Sequence, residues 1–107
     1  MHYIDEQVSV SGQIDVDDIS TLKTDNVTLI ICNRPDNESQ GQPLFSDIAK
    51  AAQSQGIACE NLPFSGGDMS DAQVAEFAKL LKQHARIHAY CRSGNRSSVI
   101  WERAKSL

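Results

Sequence analysis

Ile87-His88-Ala89-Tyr90-Cys91-Arg92-Ser93-Gly94-Asn95-Arg96-Ser97-Ser98-Val99-Ile100 joins two periodicities within fourteen residues. Residues 87–90 form a short, mainly apolar run with the composition of a strand. Beyond Gly94 the apolar positions change spacing, and Ile100, Ala104 and Leu107 recur at i, i+4 and i+7, one face of a helix expected to meet the core. Gly94 lies between them, where a tight turn needs a residue free to take positive φ. A strand feeding a helix through a short loop is the unit from which parallel sheets are built.

Working outward from that unit, the same alternation repeats. Ser70-Asp71-Ala72-Gln73 is a capping box flanked by Met69 and Val74 as a hydrophobic staple. It predicts a helix carrying Val74, Phe77, Ala78 and Leu81 inward. Residues 57–62 read as a strand stopped by Pro63. Leu44 to Gln55 reads as a helix with Phe45, Ile48, Ala49 and Ala52 inward and Gly56 as its cap. Residues 27–32 are a β-branched and apolar run suited to a strand buried on both faces, ended by Asn33-Arg34-Pro35-Asp36. Asp15 is placed to cap a short helix with Val16, Ile19 and Leu22 on one face, and Val8 to Ser11 alternates like a half-buried strand. The expected fold is α/β, a three-layer sandwich with a central, mainly parallel sheet of four to five strands flanked by helices. One domain is expected over 1–107, with its core in 8–105. In such folds ligands bind beyond the carboxyl ends of the strands. Here that edge is made of Gly12-Gln13, Asn33-Arg34, Pro63 to Asp68 and Cys91 to Arg96.

The 107 residues carry ten Lys and Arg against fourteen Asp and Glu, a formal charge of -4 that argues against nucleic acid as a partner. No apolar run approaches bilayer thickness, and residues 1–6 lack the basic and apolar build of a secretory signal, so no membrane partner and a cytoplasmic location are expected. Cys32, Cys59 and Cys91, an odd number at wide spacing, fit neither a disulfide framework nor a zinc site. His2, His84 and His88 share no ligand spacing either, and His84 reads as a dipole-complementing residue in a last helical turn. No metal is expected. Neither phosphate-binding nor dinucleotide glycine patterns occur, and no cofactor is expected.

Cys91 follows a strand and precedes a helix, so the amides of residues 92–97 and the helix N-terminus are expected to point at its sulfur. That field favours thiolate over thiol, and three pKa units of such preference correspond to about 4 kcal/mol. Cys91 is the candidate nucleophile. Arg96 offers a planar cation that matches sulfate, thiosulfate or phosphate oxygens. Arg92, Ser93, Gly94 and Asn95 complete the anion-binding loop, and Ser97 is expected to cap the helix and donate its hydroxyl to the sulfur anion. Arg34 either orients an anionic substrate or pairs with Asp36 or another acid. Gln13 either donates an amide to the pocket or stabilises its turn. Arg92 either meets substrate or is a solvated helix-start arginine. Cys32 and Cys59 lie in strand patterns and read as packing residues, although either could resolve Cys91 if it points toward the pocket. Trp101, beside the inward Ile100, belongs to the core or to a partner surface.

The stretch Tyr90 to Ser97 resembles the active loop of rhodanese sulfurtransferases, in which a cysteine carries a persulfide within a ring of amides. It also resembles the protein tyrosine phosphatase loop. Phosphatase loops, however, place one residue more between Cys and Arg than the four that separate Cys91 from Arg96, and they usually carry His where Tyr90 stands. Val10 to Gln13, Asn33 to Asp36, Gly41-Gln42-Pro43, and Leu62-Pro63 with Gly66-Gly67 resemble the phosphatase-like domains of bacterial beta-lactamase-hydrolase-like proteins. That resemblance covers Val8 to about Lys105 and implies a fold like that of dual-specificity phosphatases. Members occur alone or fused to sulfur-metabolism enzymes such as persulfide dioxygenases, which implies a partner of that kind.

The sequence therefore favours sulfur transfer. A sulfane sulfur passes from thiosulfate or a persulfide to Cys91 and then to a thiol or cyanide, with no carboxylic acid required. The alternative is a tyrosine or dual-specificity phosphatase with a Cys91 phospho-cysteine intermediate. In that reading Asp68 is the general acid, though displaced from the family's position, with Asp71 and the shorter Ser65 as the nearest alternatives. A non-catalytic redox sensor is the third reading. The expected ligand in either catalytic case is a small anion: thiosulfate, a persulfide or a phosphate ester.

Overall fold

The computed structural model describes residues 2–107. The elements run β1 (His2–Tyr3), β2 (Val8–Ser11), a 3-10 turn (Val16–Asp18), α1 (Ile19–Thr24), β3 (Leu29–Cys32), α2 (Phe45–Ser54), β4 (Ala58–Asn61), α3 (Asp71–Gln83), β5 (Ile87–Tyr90) and α4 (Asn95–Ala104). The sheet order is β1-β2-β5-β3-β4. β1 is antiparallel to β2, and every other neighbouring pair is parallel. The expected mainly parallel sheet is present, with five strands.

Alternation along the strands creates the layers. Val8, Val10, Leu29, Ile31, Ile87 and Ala89 share one face and pack with Val74, Phe77 and Leu80 of α3 and Ile100 of α4. Ile30, Cys32 and Tyr90 face the other way, onto Ile19 and Leu22 of α1 and Ile48 and Ala52 of α2. The predicted capping box forms at α3, where the Gln73 N–H donates to Ser70 Oγ at 3.1 Å and the Ser70 N–H donates to Gln73 Oε1 at 2.8 Å. Gln73 also donates its side-chain amide to Pro63 O at 2.8 Å, which ties the preceding loop to the helix. Asp15 caps the 3-10 turn as anticipated, and Gly56 takes φ +78° just past α2.

Three packing expectations are corrected. Val16 is 49% exposed, because its turn is 3-10 rather than α and the tighter winding rotates it off the Ile19–Leu22 face. Leu107 is exposed because α4 ends at Ala104, one turn short of bringing it inward. β2 is not half-buried: Ser9 is fully enclosed, since β2 is flanked by β1 and β5 and its serine hydroxyl finds partners inside.

Ser9 belongs to a directional hydrogen-bond chain. Arg86 Nη2 donates to Ser9 Oγ at 3.0 Å and to Asp25 Oδ2 at 2.6 Å. The Ser9 hydroxyl proton therefore goes to His88 Nδ1, 2.7 Å away. The other ring nitrogen then carries the proton and donates to Ser11 Oγ at 2.8 Å, and Ser11 donates to Gly12 O at 2.8 Å. Burial and the nearby Arg86 charge hold His88 well below the usual imidazole range, at about 4, so the ring is neutral.

Register places the functional edge. Ser11 pairs with Tyr90, and Tyr90 with Cys32, so β2, β5 and β3 end in one row. Gly12, Cys91 and Asn33 consequently begin their loops side by side. Among the described residues, no helix is long and apolar enough to cross a membrane.

Candidate active site

Cys91 leaves the sheet directly after β5, with its N–H donating to Ser11 O at 3.3 Å. Gly94 takes φ +95° and caps α4, turning its own N–H onto Cys91 Sγ at 3.0 Å. Its carbonyl accepts from both the N–H and the hydroxyl of Ser98, each at 3.0 Å, which fixes the turn to the helix. Burial pushes the Cys91 thiol up, but N–H groups of Ser97, Ser93, Gly94 and Arg96 outweigh it, and the thiol lies below its ordinary value. The Asn95 N–H is diverted to Ser93 Oγ at 3.3 Å and takes no part in that ring.

Gly12 lets β2 pass directly beneath the loop. A Cβ there would stand 2.8 Å from Arg92 O, a backbone atom that cannot swing aside. Gly12→Ala is expected to cost about 1–3 kcal/mol of stability and to slow iodoacetamide alkylation of Cys91 at neutral pH, as the amide ring is pushed off the sulfur. A urea midpoint and an alkylation rate both equal to those of the parent would disprove this role for the contact.

Arg96 lies beside the Cys91 sulfur, but its guanidinium is committed elsewhere as well. Its Nη1 and Nη2 donate to Glu38 Oε2 and Oε1, each at 2.8 Å, and Nη1 also donates to Phe64 O at 3.0 Å. Arg34 Nε donates to the same Glu38 Oε1 at 2.9 Å. Hydrogen bonds from Arg96 and then Arg34 hold the Glu38 carboxyl down at about 2. Sequence reasoning missed Glu38. Its one legible trace is the spacing from Arg34, four residues before it in a loop.

Arg34 is 5% exposed, with Nη1 donating to Gln13 Oε1 and Nη2 to Ser39 Oγ, each at 3.0 Å. Gln13 donates its own amide to Ile14 O at 2.8 Å, so both ends of its side chain are used within the scaffold. Asp36 accepts from the Phe45 N–H at 2.9 Å and starts α2 rather than pairing with Arg34. Ser97 neither caps α4 nor turns its hydroxyl to the sulfur: Gly94 is the cap, and Ser97 Oγ donates to Asn33 Oδ1 at 2.9 Å. Asn33, fully buried and also missed, donates to Leu62 O at 2.9 Å and so joins the β3, β4 and α4 ends. Arg92, Ser93 and Asn95 are exposed on the rim of the loop. Asp68 is exposed in a turn closed by its N–H on Ser65 O at 2.9 Å. Asp71 pairs with Arg103 at 3.3 Å. Burial raises the Cys32 thiol and pushes Cys59 up to about 12, so neither is poised as a thiolate. Among the described residues, no group of three or more His, Cys, Asp or Glu could hold a metal ion.

A lowered-pKa cysteine in a strand–loop–helix amide ring, with an arginine at the helix start, matches a known family over the full chain. Residues 1–107 fit the model for the phosphatase-like domain of beta-lactamase hydrolase-like protein. The chain belongs to this family. The beta-lactamase hydrolase-like protein of Agrobacterium fabrum is 28% identical over 105 residues, covering 97% of this chain and 24% of that protein. The phosphatase-like domain thus spans about a quarter of the length of that curated relative. A Neisseria meningitidis structure, described as a candidate phosphatase, superposes with a TM-score of 0.86 at 31% identity, covering 94% of this chain and 72% of that one. TpbA of P. aeruginosa, solved in complex with pTyr, superposes at 0.66 with 14% identity over 91% of this chain and 56% of its own. That last likeness bears on fold alone. The comparisons favour the alternative reading of the sequence over its first: they support a phosphatase-like domain and lend nothing to sulfur transfer.

Proposed function

We propose that this phosphatase-like domain is a cysteine-dependent phosphate-ester hydrolase. The observation that carries the reading is Cys91 Sγ held at the start of α4 with the Gly94 N–H donating to it at 3.0 Å, in a loop whose amides draw its thiol below the ordinary value and whose Arg96 supplies a cation. The Cys91 thiolate attacks phosphorus, the bond to the ester oxygen breaks with its electron pair, and a cysteinyl phosphate forms. Water then attacks phosphorus and gives up its proton to solvent; the S–P bond breaks, its electrons return to sulfur, and inorganic phosphate leaves. The amide ring and Arg96 face the equatorial oxygens that gain charge on the way.

Glu38 is the carboxylate hydrogen-bonded to the loop, through Arg96, and it is held ionised with no proton to give, while Asp68 is exposed and makes no side-chain hydrogen bond to the loop. This favours aryl esters, because a phenolate, conjugate base of an acid of pKa about 10, departs with less protonation than an alkoxide. A second reading rests on the short Cys91–Arg96 spacing, which suits a single terminal sulfur. One experiment separates them: the protein is given an aryl phosphate in one vessel and thiosulfate in another. Phenol release that is absent in Cys91→Ala, with unchanged melting, supports hydrolysis. The hydrolase reading fails if no phenol appears while thiosulfate adds the mass of one sulfur to Cys91, reversed by cyanide. Selective Cys91 oxidation by peroxide, with neither activity, points to a sensor.

A further inference from the structure

Next to the Cys91 loop lies a cavity of about 340 Å³ whose lining, Arg96 apart, has no part in the hydrolytic chemistry. Phe64, Met69 and Val99 give it apolar walls, and Arg96 and Arg103 both line it. These arginines stand seven residues apart on α4, on one helix face and about 10 Å apart along the axis at 1.5 Å per residue. Asn95 and Arg96 of the Cys91 loop form one end of the cavity, which sets it at the rim of that loop.

The two guanidinium groups differ in commitment. Arg96 is held in a fork by Glu38 and by Phe64 O. Arg103 is half exposed, and its carboxylate partner, Asp71, is 98% exposed at 3.3 Å. An exposed pair of that kind is weak and exchanges readily for another anion. Arg103 is thus a cation at the far end of an apolar slot, available to a substrate.

Resting on the hydrolase reading, we propose that this cavity selects phosphate esters whose aryl group carries a second anionic group. The ring lies along Phe64, Met69 and Val99, and the distal anion replaces Asp71 on Arg103. A para-propanoate arm on phenyl phosphate approximates the required span.

The test compares kcat/KM for phenyl phosphate and for the propanoate-bearing ester. The parent protein is expected to prefer the latter about fivefold. In Arg103→Gln the ratio of the two is expected to fall to near one, chiefly through KM, and Arg103→Lys to recover part of it. Asp71→Asn, which removes the competing carboxylate, is expected to raise the ratio. A ratio near one in the parent, or one indifferent to Arg103, overturns the subsite. Should neither ester be hydrolysed, the hydrolase reading fails by itself. Titration of Cys91→Ser protein with the two esters then decides the subsite separately: a Kd ratio that depends on Arg103 supports it, and an equal Kd for both overturns it.

Discussion

Arg96→Lys is expected to lower kcat/KM for an aryl phosphate by about a thousandfold, which corresponds to about 4 kcal/mol of transition-state stabilisation. The charge is conserved; the shape is not. The guanidinium spans Glu38 Oε1, Glu38 Oε2 and Phe64 O while lying beside Cys91. An ammonium is a point donor that cannot keep this fork and also meet the oxygens of a phosphoryl group. Glu38, still held by Arg34, would keep its place and draw the lysine toward itself, away from the reacting centre. Stability should fall by only about 1 kcal/mol, because lysine keeps a cation beside Glu38 and Arg34 still holds the carboxylate. The measurement is steady-state kinetics beside a urea denaturation curve. A loss below tenfold with an intact fold would remove Arg96 from the transition state.

Acidification from pH 7 to pH 4 is expected to remove about 3 kcal/mol of folding stability through His88 alone. The ring is fully buried between Ser9 and Ser11, and its folded pKa of about 4 lies below the unfolded value of 6.5. The unfolded chain therefore binds the proton more readily, and stability rises with pH across that window, by about 1.4 kcal/mol per unit. Ser11 Oγ accepts from Nε2 whether or not the ring is charged, and the groups on the Nδ1 side oppose charging. Arg86 is a cation behind Ser9, the Ser9 hydroxyl already points its proton at Nδ1, and only Asp25, beyond Arg86, favours the charged form. The change begins at pH 6.5, above the Glu38 window, which opens only below 4.5 and closes near 2. Urea midpoints at intervals between pH 7 and 4 test this. A midpoint constant from pH 6.5 to 4.5 would show that the ring charges in place.

The two variables meet at one loop. The chain that runs Arg86, Ser9, His88, Ser11 ends at Gly12, and the Ser11 carbonyl receives the Cys91 N–H. Protonating His88 changes the donor pattern at one end of the support beneath Cys91, while Glu38 fixes the cation at the other.

Much of this was legible from local signals. The Ser70 capping box, the Asp15 cap, Gly56 after α2 and the residue-by-residue limits of β5 follow from contacts spanning a few residues, and those recur in the fold. Cys91 stood out for the same reason, since strand, Gly94 and helix surround it in sequence as they do in space. The errors lie where a local pattern met a tertiary demand. Val16 was assigned to a helical face that a 3-10 turn does not present, and β1 carried too few residues to register as a strand.

Sequence alone determined the α/β order, the edge where loops gather and the cysteine at its centre, because periodicity, turn chemistry and capping act between near neighbours. Only the tertiary structure decided what surrounds that cysteine. Arg96 meets Glu38 across 58 residues, Ser97 meets Asn33 across 64, and His88 meets Ser9 across 79. Such pairs leave no spacing to read, since the parallel register of β2, β5 and β3, and nothing in the intervening chain, brings them into contact.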